Sequence, residues 1–196
     1  MPARQQYANV TGYFSDSTQM KKKFKKALFI LLTILVLGFL IPQSLTMPVQ
    51  GATIKSYSQD SYWFYPWGKS VTHKGVDIFA KKGTTITSAT GGIVIYTGQI
   101  EMGGNVVLVL GPKWRLHYYA HMDSITTTVF SLVNSKTKIG TVGATGNAVG
   151  KPPHLHYAIK TIIPYPWRLD KSVQGWKKMF YLNPITYLNE NSRISG

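Results

Sequence analysis

The sequence predicts a β-rich domain, and three observations carry the prediction. Short apolar, β-branched runs recur along most of the chain, glycine- or proline-bearing turn signals separate them, and long charged helical stripes are missing. Ile93-Val94-Ile95-Tyr96 and Val106 to Leu110 are apolar at successive positions, as in strands buried on both faces or crossing a sandwich core. The turn signals fall at Lys81-Lys82-Gly83, Gly91-Gly92, Gly103-Gly104, Gly111-Pro112 and from Gly143 to Gly150. Lys171 to Phe180, with Trp176, Met179 and Phe180, reads as one short helix. At 196 residues there is room for one ordinary domain and a short appendage.

The appendage stands at the N-terminus. Lys21, Lys22, Lys23, Lys25 and Lys26 abut an apolar run from Ala27 to Ile41, and no charge appears between Lys26 and Lys55. A hydrophobic span of about 20 residues can be drawn there, with the lysines keeping the N-terminal side in the cytoplasm. The expected organisation is a basic cytoplasmic tail over 1–26, a transmembrane signal-anchor over 27–47, a linker over 48–55 and a folded domain over 56–196. That domain then lies in the periplasm or extracellular space. A cleaved signal peptide is the competing reading, and the long polar head ahead of the apolar run favours the anchor.

The formal charge of +15 fits a polyanionic neighbour. The sixteen basic residues between 48 and 196 are scattered from Lys55 to Arg193 and form no dense stripe, so a nucleic-acid groove is not expected. No cysteine is present, which excludes disulfides, thiolate metal ligands and a cysteine nucleophile.

All five histidines fall in three short segments. The first, His73-Lys74-Gly75-Val76-Asp77, offers an imidazole and a carboxylate, both suited to zinc, with Gly75 letting the backbone turn closely between them. The second, Leu116 to His121, alternates as a strand does. The third is His154-Leu155-His156; on a strand, residues two apart share a face, so both histidines look into one cleft while Leu155 packs behind. Taken singly, each pattern is also explained by a hydrogen-bonded surface or core histidine. Together, in a region with six acidic residues, they point to a metal site. A His-Glu-x-x-His helix is lacking, and Glu101, in a glycine-rich turn, reads as a loop residue.

From about Trp67 to Leu188 these segments resemble the lysostaphin-type, or LytM-type, zinc metallopeptidases, which are peptidoglycan endopeptidases. The resemblance rests on HKGVDIFAKKGTTITSATGGIVIYTG, GGNVVLVL, LHYYAHMD, IGTVGATGNAVGKPPHLHYAI and LNPITYL, in that order. It implies two antiparallel sheets enclosing a narrow groove, of duplicated-hybrid-motif or barrel-sandwich type. It also implies His73, Asp77 and His156 as ligands of Zn2+, with His121 and His154 as unligated catalytic histidines. Three protein ligands leave a fourth position free, as catalytic zinc requires.

The function so implied is hydrolysis of peptidoglycan peptide bonds by metal-activated water, with His154 or His121 taking the proton and the other stabilising the oxyanion. Two rivals stand beside it: an inactive scaffold or activator of another wall hydrolase, and a zinc peptidase acting on a secreted protein or peptide. His117 is expected to be structural, though it would share a strand face with Tyr119 and His121 and so lie near the site. The aromatics Tyr57, Tyr62, Trp63, Phe64, Tyr65 and Trp67, and the stretch Ile163 to Trp167, are candidates for groove walls or for packing. The stretch from Pro164 to Tyr181 is longer than the family pattern needs.

Overall fold

The computed structural model describes residues 3–194, with side chains from 19 to 190. Residues 1–2 and 195–196, the extremities of the expected tail and domain, lie outside the described residues. The chain divides into two compact units, 1–41 and 42–196.

The first unit is one helix, α1, Ala3–Leu40. It takes in the polar stretch expected as an unpatterned tail, because no proline interrupts the chain between residues 3 and 41. It stops before Pro42, whose ring disfavours helical backbone at the preceding residue. No described helix is long and apolar enough to cross a membrane. The apolar part of α1, Ala27 to Leu40, rises about 21 Å at ~1.5 Å per residue, short of a ~30 Å hydrocarbon core. The expected span to residue 47 differs from this, since the helix has ended and Leu45 and Val49 are buried in the core of the second unit. Packing of that unit thus begins well before the expected start at residue 56.

In the second unit, nine strands among the described residues form one antiparallel sheet. They are β1 Val76–Phe79, β2 Thr85–Thr87, β3 Gly92–Ile100, β4 Gly104–Gly111, β5 Arg115–Ile125, β6 Leu132–Val133, β7 Lys138–Val142, β8 His154–Thr161 and β9 Tyr181–Leu182. Six run in the order β1-β8-β5-β4-β3-β6, with β9 on β8 and β7 joining β2 to β5. Two separate sheets were expected, and β5 is the reason there is one. Residues 115–120 of this eleven-residue strand pair with β8, and residues 122–125 pair with β7. A single strand therefore stitches both halves together.

One side of the sheet is closed by the core, in which Val76, Ile78, Val107, Val109, Tyr119, Leu155, Tyr157 and Ile159 are buried. Burial of such side chains is the main stabilising contribution of the unit. Helix α2, Pro184–Ile194, adds Ile185 and Leu188 to that core and is absent from a purely β reading. Asn183 caps it, its side-chain oxygen accepting from the Ile185 N–H at 3.0 Å, and Pro184 occupies the first helical position. Within the expected helix 171–180, only Gly175–Phe180 is helical, as a 3-10 turn.

Candidate metal centre

The open side of the sheet bears a groove of about 570 Å³. Strand alternation decides what lines it. On β8 the core takes Leu155, Tyr157 and Ile159, leaving His154, His156, Ala158 and Lys160 to the groove. On β1 the core takes Val76 and Ile78, leaving Asp77 and Phe79. Asp77 is the direct partner of His156 in the β1–β8 ladder, so the two functional groups meet across adjacent strands.

His73 arrives from the segment before β1. Its Nδ1–H donates to the Ser61 carbonyl at 2.9 Å, which turns Nε2 towards the other two groups. Nε2 lies 3.1 Å from both Asp77 Oδ1 and His156 Nδ1, and His156 Nδ1 lies 2.7 Å from Asp77 Oδ1. Donors bound tetrahedrally at ~2.0–2.1 Å from one zinc would stand about 3.3 Å apart. Two imidazoles and one carboxylate at the observed spacing therefore suit such an ion. Gly75 permits this convergence: a Cβ there would sit 2.5 Å from the Tyr157 carbonyl oxygen and 2.9 Å from the His156 ring.

Burial alone would push the Asp77 carboxyl up. Hydrogen bonding with His156 and His73 and the charge of both rings outweigh it and hold the group far below the ordinary carboxylate range. Asp77 is a carboxylate under all ordinary conditions. Burial, with smaller contributions from His73 and His154, lowers His156 below its ordinary value despite Asp77, which favours the neutral ring that a metal ion binds.

The other two groove histidines flank this cluster. His154 donates Nδ1–H to the Pro152 carbonyl at 2.8 Å and His121 donates Nδ1–H to the Thr145 carbonyl at 2.9 Å, so each presents Nε2 as the unoccupied ring nitrogen. Their ring centres are 5.0 Å apart, and His154 Nε2 is 3.9 Å from Asp77 Oδ2. Thr145 is itself pinned, its hydroxyl donating to Met122 and accepting from Asn105 N–H, both at 2.9 Å. Burial, then His156 and His154, push the His121 imidazole down to about 4. It is neutral at physiological pH.

His121 reaches the groove against strand parity. On β5, Tyr118 and Ala120 line the groove while His117 and Tyr119 are buried beneath, so strict alternation would bury His121 on the far side. Its left-handed backbone, φ 62°, breaks the alternation where β5 leaves β8 for β7. His117 is accordingly not beside the site, as a shared face with His121 would have it. Its Nε2 accepts from the Gln43 amide at 2.9 Å and its Nδ1–H donates to the Tyr157 hydroxyl at 2.7 Å.

Sequence reasoning did not single out Lys74, Tyr118, Lys160 or Tyr181, which also line the groove. Extending the period of two beyond His156 would have reached Lys160. Of the aromatic segments, Trp67 lines the groove and stacks on His73 at 4.2 Å, whereas Trp63 is buried. Tyr165 and Trp167 stack on each other at 5.1 Å and do not line the groove. Apart from Tyr181, the long 164–181 stretch is tied to the segments around His73, with Gln174 accepting from the Thr72 hydroxyl at 3.0 Å and Val173 accepting from the Trp63 indole N–H at 3.0 Å. Glu101 is an exposed turn residue 3.6 Å from Lys69.

The pattern of Peptidase family M23 matches residues 71–168, half of the chain, and takes in all five histidines and Asp77. The chain belongs to peptidase family M23. Among M23 relatives, the L-Ala–D-Glu endopeptidase of Bacillus subtilis is 32% identical over 137 residues, 64% of this chain and 42% of that protein. The murein hydrolase activator NlpD of Escherichia coli is 33% identical over 89 residues, 45% of this chain and 23% of that protein. The chain thus spans less than half the length of either relative. The catalytic domain of lysostaphin from Staphylococcus simulans has the same fold, with a TM-score of 0.56 at 24% identity over 69% of this chain and 95% of that one.

Proposed function

We propose that this M23 chain is a zinc-dependent endopeptidase that hydrolyses peptide bonds of bacterial peptidoglycan. The observation that carries the reading is the convergence of His73, Asp77 and His156 within 4.8 Å of one another, beside two further histidines with free ring nitrogens. His73 Nε2, Asp77 Oδ1 and His156 Nδ1 would hold the ion. Bound zinc supplies Lewis acidity, acidifying water and polarising the scissile carbonyl.

The remaining chemistry belongs to the chain. His154 and His121, fixed by backbone carbonyls, face the space beside the metal donors. One accepts the water proton at Nε2 and the other stabilises the developing oxyanion. The Trp67 ring and the small floor of Ala120 and Ala158 leave room for an extended peptide and keep water from the flank of His73. The B. subtilis relative, named for cleaving an L-Ala–D-Glu bond, supports a wall-peptide substrate.

Attachment to the cell membrane through α1, with the N-terminus cytoplasmic and the folded unit outside, is part of the same proposal. Its support is the lysine cluster from Lys21 to Lys26 next to the exposed apolar residues Leu28, Phe29, Leu31 and Leu37. Recovery of the chain in the soluble fraction of cells would sink that part alone.

A second reading, an activator of another wall hydrolase, draws on the relative named as a murein hydrolase activator. Zinc stoichiometry on the full chain, paired with digestion of purified sacculi before and after chelation, separates the two. Near one zinc with chelator-sensitive release of peptides is the expected result. Undigested sacculi, with another hydrolase stimulated by the chain, would establish the activator.

A further inference from the structure

The groove is short of negative charge. Lys74, Lys151 and Lys160 line it, and among its described lining residues the one carboxylate is Asp77, already engaged by His73 and His156. Lys74 is half-buried and its ammonium donates to the Ser70 and Thr72 carbonyls at 2.6 and 3.2 Å. Lys160 is half-buried too, on the same β8 face as His154, His156 and Ala158. Its ammonium lies 5.6 Å from the centre of the Tyr118 ring and 5.5 Å from that of Tyr181. Among the described residues it has no carboxylate and no hydrogen-bond acceptor.

Two aromatic rings thus hold an ammonium in place while its three N–H donors stay unmatched by protein. An ammonium so placed is strongly attractive to an anion, since low-dielectric walls of one charge sign concentrate the field in the groove. A carboxylate fits the three donors better than a neutral amide oxygen. From His156 to Lys160 is four residues of strand, about 13 Å at ~3.3 Å per residue, and an extended peptide covers it with a similar number of residues. Ala158, on the groove face between them, leaves that path open.

We propose that the Lys160 end of the groove, framed by Tyr118 and Tyr181 with Lys74 nearby, is a subsite for a free carboxylate of the substrate. The chain then selects acidic stem peptides over their amidated counterparts. The inference rests on the endopeptidase reading and names the substrate chemistry of that same groove.

The test uses the full chain in chelator, so that binding is read without turnover, and a synthetic stem peptide in two forms, free acid and fully amidated. Calorimetric or Trp-fluorescence titration should give about tenfold tighter binding of the free acid, a preference that shrinks as salt rises. Lys160→Met, which keeps the bulk over the tyrosine rings, should reduce the free-acid affinity to that of the amide, leaving amide binding and the zinc content of the loaded chain unchanged. Equal affinity for both forms, binding of neither, or a preference that survives Lys160→Met would each overturn the subsite. Sacculi left intact by a chain that keeps the Lys160-dependent preference would overturn the hydrolase reading and leave the subsite standing.

Discussion

Asp77 and His156 face each other directly across β1 and β8, with the carboxylate 2.7 Å from Nδ1 of the ring. His154, two residues earlier on the same face, has its ring anchored at the Pro152 carbonyl and Nε2 3.9 Å from the other carboxylate oxygen. On the proposed reading, position separates three candidate metal donors, His73, Asp77 and His156, from the neighbouring His154. His73→Ala and His156→Ala should lose zinc and activity together. His154→Ala should keep about one zinc per chain while activity falls at least ~100-fold. Metal analysis and sacculus digestion on the same preparations check this, and equal zinc loss in all three variants would sink the division of roles.

Gly75 stands between His73 and Asp77, two of the candidate metal donors, and lies against β8. A methyl group there would come within 2.5 Å of the Tyr157 carbonyl oxygen, a backbone atom that cannot swing aside. Gly75→Ala should force β1 away from β8, destabilising the fold by about 1–3 kcal/mol and weakening zinc binding at the same time. Urea denaturation of the chelated chain, with a zinc titration alongside, measures both. Unchanged zinc affinity would show that the strand pair can open without moving Asp77.

Trp67 stacks on His73, with ring centres 4.2 Å apart. Losing such a stack costs about 0.5–1.5 kcal/mol, so Trp67→Ala should lower zinc affinity about threefold to tenfold. Trp67→Phe should restore most of it. A competitive chelator titration reads the affinity, and a variant indistinguishable from the parent would show that the Ser61 carbonyl alone orients His73.

The residues legible in the sequence are those whose geometry is local. His154 and His156 share a face because strands have a period of two, and Gly75 signals a close approach that neighbouring residues cannot make. The turn signals matched real connections because glycine and proline act on their own backbone. What was not legible depends on distant partners. Leu45 looked like part of an anchor because its burial partners lie far along the chain. The placing of His117 failed because one left-handed residue, His121, cancels the alternation on which a shared face depends, and nothing in the histidine side chain announces that backbone. Two sheets became one for a similar reason, since the change of partner along β5 is set by tertiary packing. Helix α2 had its cap and proline in Asn183-Pro184, a signal read only as part of a motif.

His117 is fully buried, and burial, then the Arg115 guanidinium, push its imidazole from an ordinary 6.5 down to about 3. The groups that face it are the Gln43 amide and the Tyr157 hydroxyl, and the Arg115 guanidinium reaches Gln43 from the other side. None is a carboxylate that would welcome a proton. Below pH 6.5 the unfolded chain binds a proton that the folded chain refuses until about pH 3. The His117 contribution to stability is therefore intact above 6.5 and declines as pH falls towards 3, by up to about 1.4 kcal/mol per pH unit. His117→Gln can keep both hydrogen bonds but cannot titrate, so it should be less stable at pH 7 and show a shallower loss between pH 6.5 and 4. Urea denaturation of both chains in chelator, stepped through that range, gives the two slopes. Parallel slopes would mean that His117 does take up its proton in the folded state, and that the strand pair β5–β8 opens locally to let it.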